Sequence, residues 1–307
     1  MVVLTSIHVT NFRALRDVTL ELAPLTVLVG PNASGKSSVL RALDPEFLHP
    51  FDLWRHDRNL SATVRYVEGP GTGAATGLAT WGVQHSNWGD RPYSFQLLRL
   101  DVDELRKETR LEAETMLSAS GAGIANVFAA LPRNQQTEVS RRYCSLVPVF
   151  QDVDTQAVGG GAHELRFQDR WDKQLWYRPR EVSDGSILLL AYLLVDFQMP
   201  RPSLLAVEEP ERALHPYLLG ELISLLRGLT AKPKEPIQVV LATHSAEILD
   251  HLRPEEVRFL TKNEEDGSVE IEQVSVSDPH WDAAWKAHQE SLGGVWLSGG
   301  LGGVPAL

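Results

Sequence analysis

The segment GPNASGKS, Gly30 to Ser37, spaces two glycines, a lysine and a serine as G-x-x-x-x-G-K-[ST]. That spacing suits phosphate chemistry. Gly30 and Gly35 let the backbone wrap until its N–H groups point at an anion, with Pro31, Asn32, Ala33 and Ser34 forming the arc between them. The helix expected to start here adds the positive end of its dipole. Lys36 then reaches β- and γ-phosphates, the Ser37 hydroxyl can ligate Mg²⁺, and Ser38 follows in the same first turn.

Two further stretches carry groups of the right type. SLLAVEEPE ends an apolar run with Glu208 and Glu209. Neighbouring residues on a strand point opposite ways, so the two carboxylates are expected to do different jobs: Glu208 to hold the metal, Glu209 to orient or deprotonate an attacking water. A glutamate in the metal position is one methylene longer than the usual aspartate, which would shift the Mg²⁺ geometry and slow the chemistry. VVLATHSAEILD brings His244 to the end of another apolar run, where a contact to a γ-phosphate is expected, and Ser245 to the cap of a short helix. His215, before Pro216, reads as a capping or hinge residue. No grouping of His, Cys and carboxylates has metal-site spacing, and no Ser–His–Asp arrangement suggests acyl transfer.

These groups need a frame. LTVLVG (Leu25 to Gly30) is a continuous apolar run ending in glycine, as in a buried strand, and SGKSSVLRAL reads as a helix. Residues 4–21 alternate in two runs that read as a strand pair. Helical segments are expected over Val102–Ser118, Gly123–Leu131 and Gln136–Leu146, followed by a hairpin of HELRFQ and QLWYRP. After Ser183 come a buried helix, the strand SLLAVEE, a helix over Pro216–Leu229, the strand IQVVLATH, a short helix and a strand pair near VRFL and VEIEQV. Alternating strands and helices predict an α/β fold with a largely parallel sheet. The glycine-rich tail SLGGVWLSGGLGGVPAL is expected to be extended, and the loop EGPGTGAATG is not expected to touch phosphate, because no lysine follows its glycines.

Bulk properties exclude several classes. The chain of 307 residues is 43% hydrophobic and 22% charged, enough to bury a sizeable core. A net charge of -11 argues against a surface that grips nucleic acid all over, though a local basic groove for DNA stays open. The longest apolar run, ILLLAYLLV, is far short of the roughly 20 residues that span a bilayer. The single cysteine, Cys144, excludes an internal disulfide and reads as a lone buried thiol. With no basic region at the N-terminus, a cytoplasmic location without a membrane partner is expected.

The order of these motifs resembles the ABC-type ATPases of the RecF/SMC/OLD group, in particular their short stand-alone AAA-family members. The carriers are IHVTNFRALRDVTLELAPLTVLVGPNASGKSSVLRAL, EVSDGSILLLAYLL, LLAVEEPERALHP and VVLATHSAEILD, with a middle piece from Leu97 to Leu131 like the segment such proteins carry between the halves of their core. The resemblance implies a P-loop NTPase head of mixed β-sheet flanked by helices: one ATPase domain over 1–307, with its core at about 1–45 and 181–275. A helical and hairpin insertion would fill about 46–180 and a glycine-rich tail about 276–307. It implies ATP and Mg²⁺ as cofactors and Asn11, Phe12 and Arg13 near the base and phosphates. Glu209 would be the catalytic glutamate, His244 the switch histidine and PERALHP the D-loop. Ser183, Asp184 and Gly185 stand where the signature stands, which in such ATPases closes over the ATP of another subunit. Ser183 would offer a hydroxyl and Gly185 an unobstructed N–H to that γ-phosphate, in a head-to-tail homodimer with two ATPs sandwiched. Two departures stand out. Asp184 replaces the first signature glycine, and neither Gln84 nor Gln96 is a convincing Mg²⁺-contacting glutamine.

The reading that follows is an ATPase switch regulating a separate effector, such as a Toprim-like nuclease, in DNA maintenance, repair or anti-phage defence. Only residues 261–307 follow Leu260, too few for a fused Toprim domain. The alternatives are a RecF-like DNA clamp, for which the basic-aromatic stretch RFQDRWDKQLWYRPR (Arg166 to Arg180) speaks, an ATP sensor with little hydrolysis, and a transporter subunit, which the SDG signature disfavours.

Overall fold

The structure is a computed structural model that describes residues 2–44, 46, 53–54, 59–68, 75–82, 92–273 and 291–298. The chain divides into two compact units. One comprises Met1–Leu97, Pro202–Glu209 and Arg227–Leu307, the other Leu98–Arg201 and Pro210–Leu226.

The first unit holds two sheets. Strands β1 (Val2–Phe12), β2 (Leu15–Glu21), β4 (Ser61–Glu68) and β5 (Ala75–Gly82) form one in the order β2-β1-β4-β5, with all neighbours antiparallel. The other has the order β14-β13-β3-β12-β11-β6, from β3 (Leu25–Val29), β6 (Phe95–Leu98), β11 (Leu204–Glu208), β12 (Gln238–Thr243), β13 (Val257–Lys262) and β14 (Val269–Gln273). Here β11, β12, β3 and β13 run parallel and β14 returns antiparallel. All five residues of β3 and all six of β12 are buried, which is why these strands read as unbroken apolar runs rather than as alternation.

Helix α1 (Lys36–Ala42) contributes Val39, Leu40 and Ala42 to one apolar cluster with Leu4, Ile7 and Val9 of β1 and with Leu28, Leu204 and Val240 of the parallel strands. The buried Gln238 side chain stitches the two sheets together. Its Oε1 accepts from Leu4 N at 2.9 Å and its Nε2 donates to Leu4 O at 2.8 Å and Ala23 O at 3.0 Å, so no edge amide there goes unpaired.

The register sets the chemistry. Glu208 pairs with Ala242, Ala242 with Leu28, and Thr243 with Val29, so three strands end level. Glu208, His244 and Gly30 therefore emerge at one carboxyl edge of the sheet, where α/β folds hold ligands.

In the second unit, β8 (Phe150–Gly159), β9 (Ala162–Asp169), β7 (Thr109–Arg110) and β10 (Trp176–Tyr177) make an antiparallel sheet centred on β9. Around it lie α2 (Val102–Leu105), α3 (Ile124–Ala130), α4 (Arg133–Leu146) and α5 (Asp184–Leu194), while α6 (Leu219–Thr230) begins after a 3-10 turn at Pro216–Leu218. Tyr143, Phe150 and Phe167 pack with ring centroids 5.5 to 6.1 Å apart. Every residue of α5 from Gly185 onward is buried, as expected of a helix that is apolar all round.

Two expectations change. The helix foreseen over Val102–Ser118 is only one turn, capped by Asp101, because Thr109 and Arg110 are drawn into pairing with His163 and Ala162 of β9. Within the tail foreseen as extended, Leu292–Leu297 form a short helix, α8, and residues 299–307 of that stretch lie outside the described residues. The helix packs on α7 (Ala246–Leu249) so closely that a Cβ on Gly293 would lie 2.4 Å from the Ala246 carbonyl oxygen, and Asp250 accepts from Gly293 N at 3.0 Å.

One buried carboxylate ties the second unit together. Asp196 accepts from Arg142 at 2.9 Å and Arg201 at 2.7 Å, with its side chain 2% exposed. Asp196→Ala removes the acceptor that two guanidinium groups share, and an equilibrium urea titration is expected to show a loss of about 2–3 kcal/mol.

Candidate functional site

Lys36, Ser37, Glu208 and Glu209 share a pocket of about 200 Å³ with Asn32 to Gly35, Ser38, Ala14 and Lys262. The P-loop reaches it through two residues in the left-handed region, Ala33 (φ +63°) and Gly35 (φ +105°), the second capping α1. The Lys36 ammonium is drawn back along the loop, donating to Gly30 O at 2.7 Å and Pro31 O at 2.8 Å. The Ser37 hydroxyl donates to Glu208, joining the loop's serine to the strand-end acid.

Glu209 differs from expectation in its backbone. It is not a strand residue pointing away from Glu208: it leaves β11 with φ +48°, and its N–H donates to Ala242 O at 2.9 Å. A non-glycine residue there carries strain of about 1–2 kcal/mol, and that turn, not the pleat, separates the two carboxylates. Glu208 faces Ser37, while Glu209 Oε1 lies 3.6 Å from His244 Nδ1. His244 is held between the buried Thr243, whose Oγ1 accepts from Ser245 N at 3.0 Å, and Ser245, which caps α7. His215 accepts from Tyr217 N, a capping contact.

A magnesium nucleotide fits these groups. Ser34 is 1% exposed and lines the pocket with a hydroxyl that has no hydrogen-bond partner, an orphaned polar atom a phosphate would satisfy. Ser37 and Glu208 would hold the metal and Lys36 the phosphates. When bound, Mg²⁺ draws charge from the phosphate oxygens and so eases cleavage of the terminal phosphoryl bond. Among the described residues no group of three or more His, Cys, Asp or Glu side chains could hold a metal by itself.

Phe12 is fully buried in the core cluster with the Arg13 guanidinium 5.2 Å from its ring, and Asn11 contacts Asn59 O. From this turn it is Ala14, not residues 11–13, that lines the pocket. Gln96 is buried in β6 and Gln84 lies outside the described residues. Lys262 is a pocket residue that sequence reading missed. It ends β13 as Glu208 ends β11, so the same strand-end signal marks it. Burial holds its pKa below the ordinary lysine value, and its ammonium donates to Gly267 O at 2.9 Å.

In the second unit, Ser183 caps α5 by accepting from Ser186 N at 3.3 Å and stays exposed. Gly185 is buried, and a Cβ there would meet Leu218 Cδ1 at 2.9 Å and Leu214 Cδ2 at 3.3 Å. The absence of a side chain is therefore already required by packing within the unit. In the basic-aromatic stretch, Arg166 pairs with Asp154 at 2.7 Å and lies 4.2 Å over Trp176, while Arg178 pairs with Glu164 and Glu108. These cations are spent on acidic neighbours. Cys144 is half-buried, its thiol pushed up to about 11 by burial, which disfavours the nucleophilic thiolate. No helix among the described residues is long and apolar enough to cross a membrane.

The P-loop at the carboxyl edge of the sheet and the strand-end acids are those of an ABC/SMC/OLD-like ATPase. The chain belongs to the family described as AAA domain, putative AbiEii toxin, Type IV TA system, whose model matches residues 91–250, and residues 3–49 match an AAA ATPase domain. It is 54% identical over 41 residues to an OLD nuclease of Thermus scotoductus, which is 13% of this chain and 8% of that protein. It is 40% identical over 74 residues to a putative ABC transporter ATP-binding protein of Streptomyces avermitilis, 24% of this chain and 12% of that one. The matches thus span only a small part of these relatives. The fold is that of the SMC head bound to the C-winged helix domain of ScpA: the TM-score is 0.60 at 12% identity, covering 89% of this chain and 98% of that one.

Proposed function

We propose that this chain is an ATP-hydrolysing switch that closes into a head-to-tail homodimer around two ATPs and reopens on hydrolysis. The observation that carries this is the join of Ser37 to Glu208 beside Glu209 and His244, a metal position next to a water-activating one. Glu208 reaches the serine despite its extra methylene, which supports turnover over the alternative of an ATP sensor with little hydrolysis. In this reading Lys36 and Ser34 hold the phosphates, Glu209 accepts the proton of the attacking water, and His244 contacts the γ-phosphate. Ser183 and the N-terminus of α5 approach that phosphate from the second subunit, and the two compact units are parts of one ATPase domain. Light scattering with Mg²⁺ and ATP, set against ADP, tests the switch: dimers with ATP alone support it, and a monomer under both conditions sinks it.

Lys262 belongs to the same site. Lys262→Met is expected to weaken ATP binding about fivefold, roughly 1 kcal/mol for one partly exposed cation, with Lys262→Arg near the parent by isothermal titration.

What the switch drives is a separate effector, and a nuclease is the reading we favour, in DNA maintenance or anti-phage defence. The similarity to an OLD nuclease within only 41 residues supports a shared ATPase part. The SMC head's binding of ScpA supports a head that works through a partner protein. Purification from the native host should bring a second protein down with the ATP-bound form, and recovery of the chain alone would count against an effector. The alternative of a RecF-like clamp is weakened by the ion pairs of Arg166 and Arg178.

A further inference from the structure

The acid in the signature poses an electrostatic problem. Asp184 is the first residue of α5, directly after the Ser183 cap, where the proposed site must receive a γ-phosphate. A carboxylate is at home in a helix's first turn, but it repels a second anion brought to the same place.

The second unit contains an answer. Arg106, the residue that closes α2, sends its guanidinium to the chain entering α5. Its Nε donates to Pro179 O at 3.2 Å, and its Nη2 donates to Val182 O at 2.7 Å and to Asp184 Oδ1 at 2.6 Å. One planar group thus binds two backbone carbonyls and the signature carboxylate. The Arg106 side chain is 23% exposed and that of Asp184 48%, so solvent reaches the carboxylate and the pair rests on its geometry as much as on its charge. The arginine is itself well placed: Asp101 caps α2 through Asp103 N and Glu104 N, and Leu105 is buried. A polar cleft opens beside the pair, lined also by Arg212 and Ala213 of the PERALHP segment.

We propose that Arg106 is a positioning residue for the trans ATP site: it cancels the charge of Asp184 and fixes the turn before α5, so that the signature accepts a phosphate despite its acid. The inference rests on the dimer reading above. Asp184 then serves as the anchor by which Arg106 aligns the loop. A glycine there leaves the loop free, whereas the Asp–Arg pair holds it with no net charge.

The test uses the full chain in a Glu209→Gln background, which slows ATP loss, and follows dimer formation against ATP concentration by light scattering. Arg106→Gln is expected to raise the ATP concentration for half-dimerisation at least about tenfold, the order expected when a like charge is left facing an anion. Binding of a fluorescent ATP analogue to the monomer should stay unchanged. Adding Asp184→Asn to Arg106→Gln should recover most of the loss, because the repelling charge goes with its partner, and Arg106→Lys should fall between. A purely structural arginine predicts no such rescue. Dimerisation of Arg106→Gln at the parent's ATP concentration, or failure of the double variant to recover, overturns the proposal while leaving the switch intact. If Arg106→Gln is insoluble, the double variant decides alone: folding and dimerising supports the charge pairing, failing to do either overturns it. If Glu209→Gln itself stays monomeric in saturating ATP, the switch reading falls first, and the proposal with it.

Discussion

Glu209→Gln is expected to bind ATP, dimerise and then stay closed, with turnover reduced roughly a hundredfold or more. The substitution keeps the side chain's shape beside His244, but an amide cannot take a proton from water at neutral pH. The backbone makes this a clean experiment. Glu209 sits at φ +48° with its N–H bonded to Ala242 O, and neither depends on the carboxylate, so the turn should survive. Ser37 and Glu208 are untouched, so metal and phosphate binding should persist. Two measurements check the prediction together: phosphate release under saturating Mg²⁺ and ATP, and the mass of the ATP-bound species. Hydrolysis at the wild-type rate would assign the base elsewhere. Loss of both turnover and ATP binding would mean that Glu209 is part of the pocket's structure rather than of its chemistry.

Ser183→Arg should do the opposite, leaving ATP binding by the monomer intact and abolishing the ATP-driven dimer. Ser183 is exposed, and its hydroxyl caps α5 through Ser186 N and shares a 2.7 Å hydrogen bond with Ser186 Oγ, contacts whose loss costs about 1 kcal/mol. That is a small part of the roughly 5–15 kcal/mol that stabilises a domain, so the fold should hold. The long guanidinium side chain then fills the space that a partner's nucleotide needs. Ser183→Ala separates the effects, since it removes the hydroxyl and the cap without adding bulk, and it should weaken dimerisation without abolishing it. Dimers that form with ATP in the arginine variant would reduce this stretch to an ordinary helix start.

The two variants probe opposite faces of one proposed event, which is why they are informative together. In a mixture, the P-loop of Ser183→Arg and the signature of Glu209→Gln are both sound, so one of the two sandwiched sites can still close. A weak mixed dimer is expected where Ser183→Arg alone gives none, and retention of untagged Glu209→Gln by an affinity-tagged Ser183→Arg chain in the presence of ATP, compared with ADP, checks it.

The chemistry of this chain was legible in its sequence where residue type alone decides the outcome. Gly30 to Ser37 can make little other than a phosphate cradle, because lysine and serine follow two glycines at fixed spacing between an apolar run and a helix. The parallel strands were legible as well, since burial on both faces leaves unbroken runs such as LTVLV and QVVLAT. What depends on distant partners was not legible. Pairing of Thr109 and Arg110 with β9 cut short a helix that local pattern favoured, and the close approach of Gly293 to α7 made a short helix within a tail rich in glycine. That Phe12 is fully buried in the core cluster was not legible either, because an aromatic ring at a turn reads the same whether it packs inward or faces a ligand. Only the tertiary structure could show that Glu209 turns away from its strand, that Lys262 joins the pocket, and that Arg106 meets Asp184, 78 positions further along the chain. Sequence determines which groups are present and which local turns they favour; which charges end up neutralised is decided by contacts between segments far apart in the chain, and those exist only once it has folded.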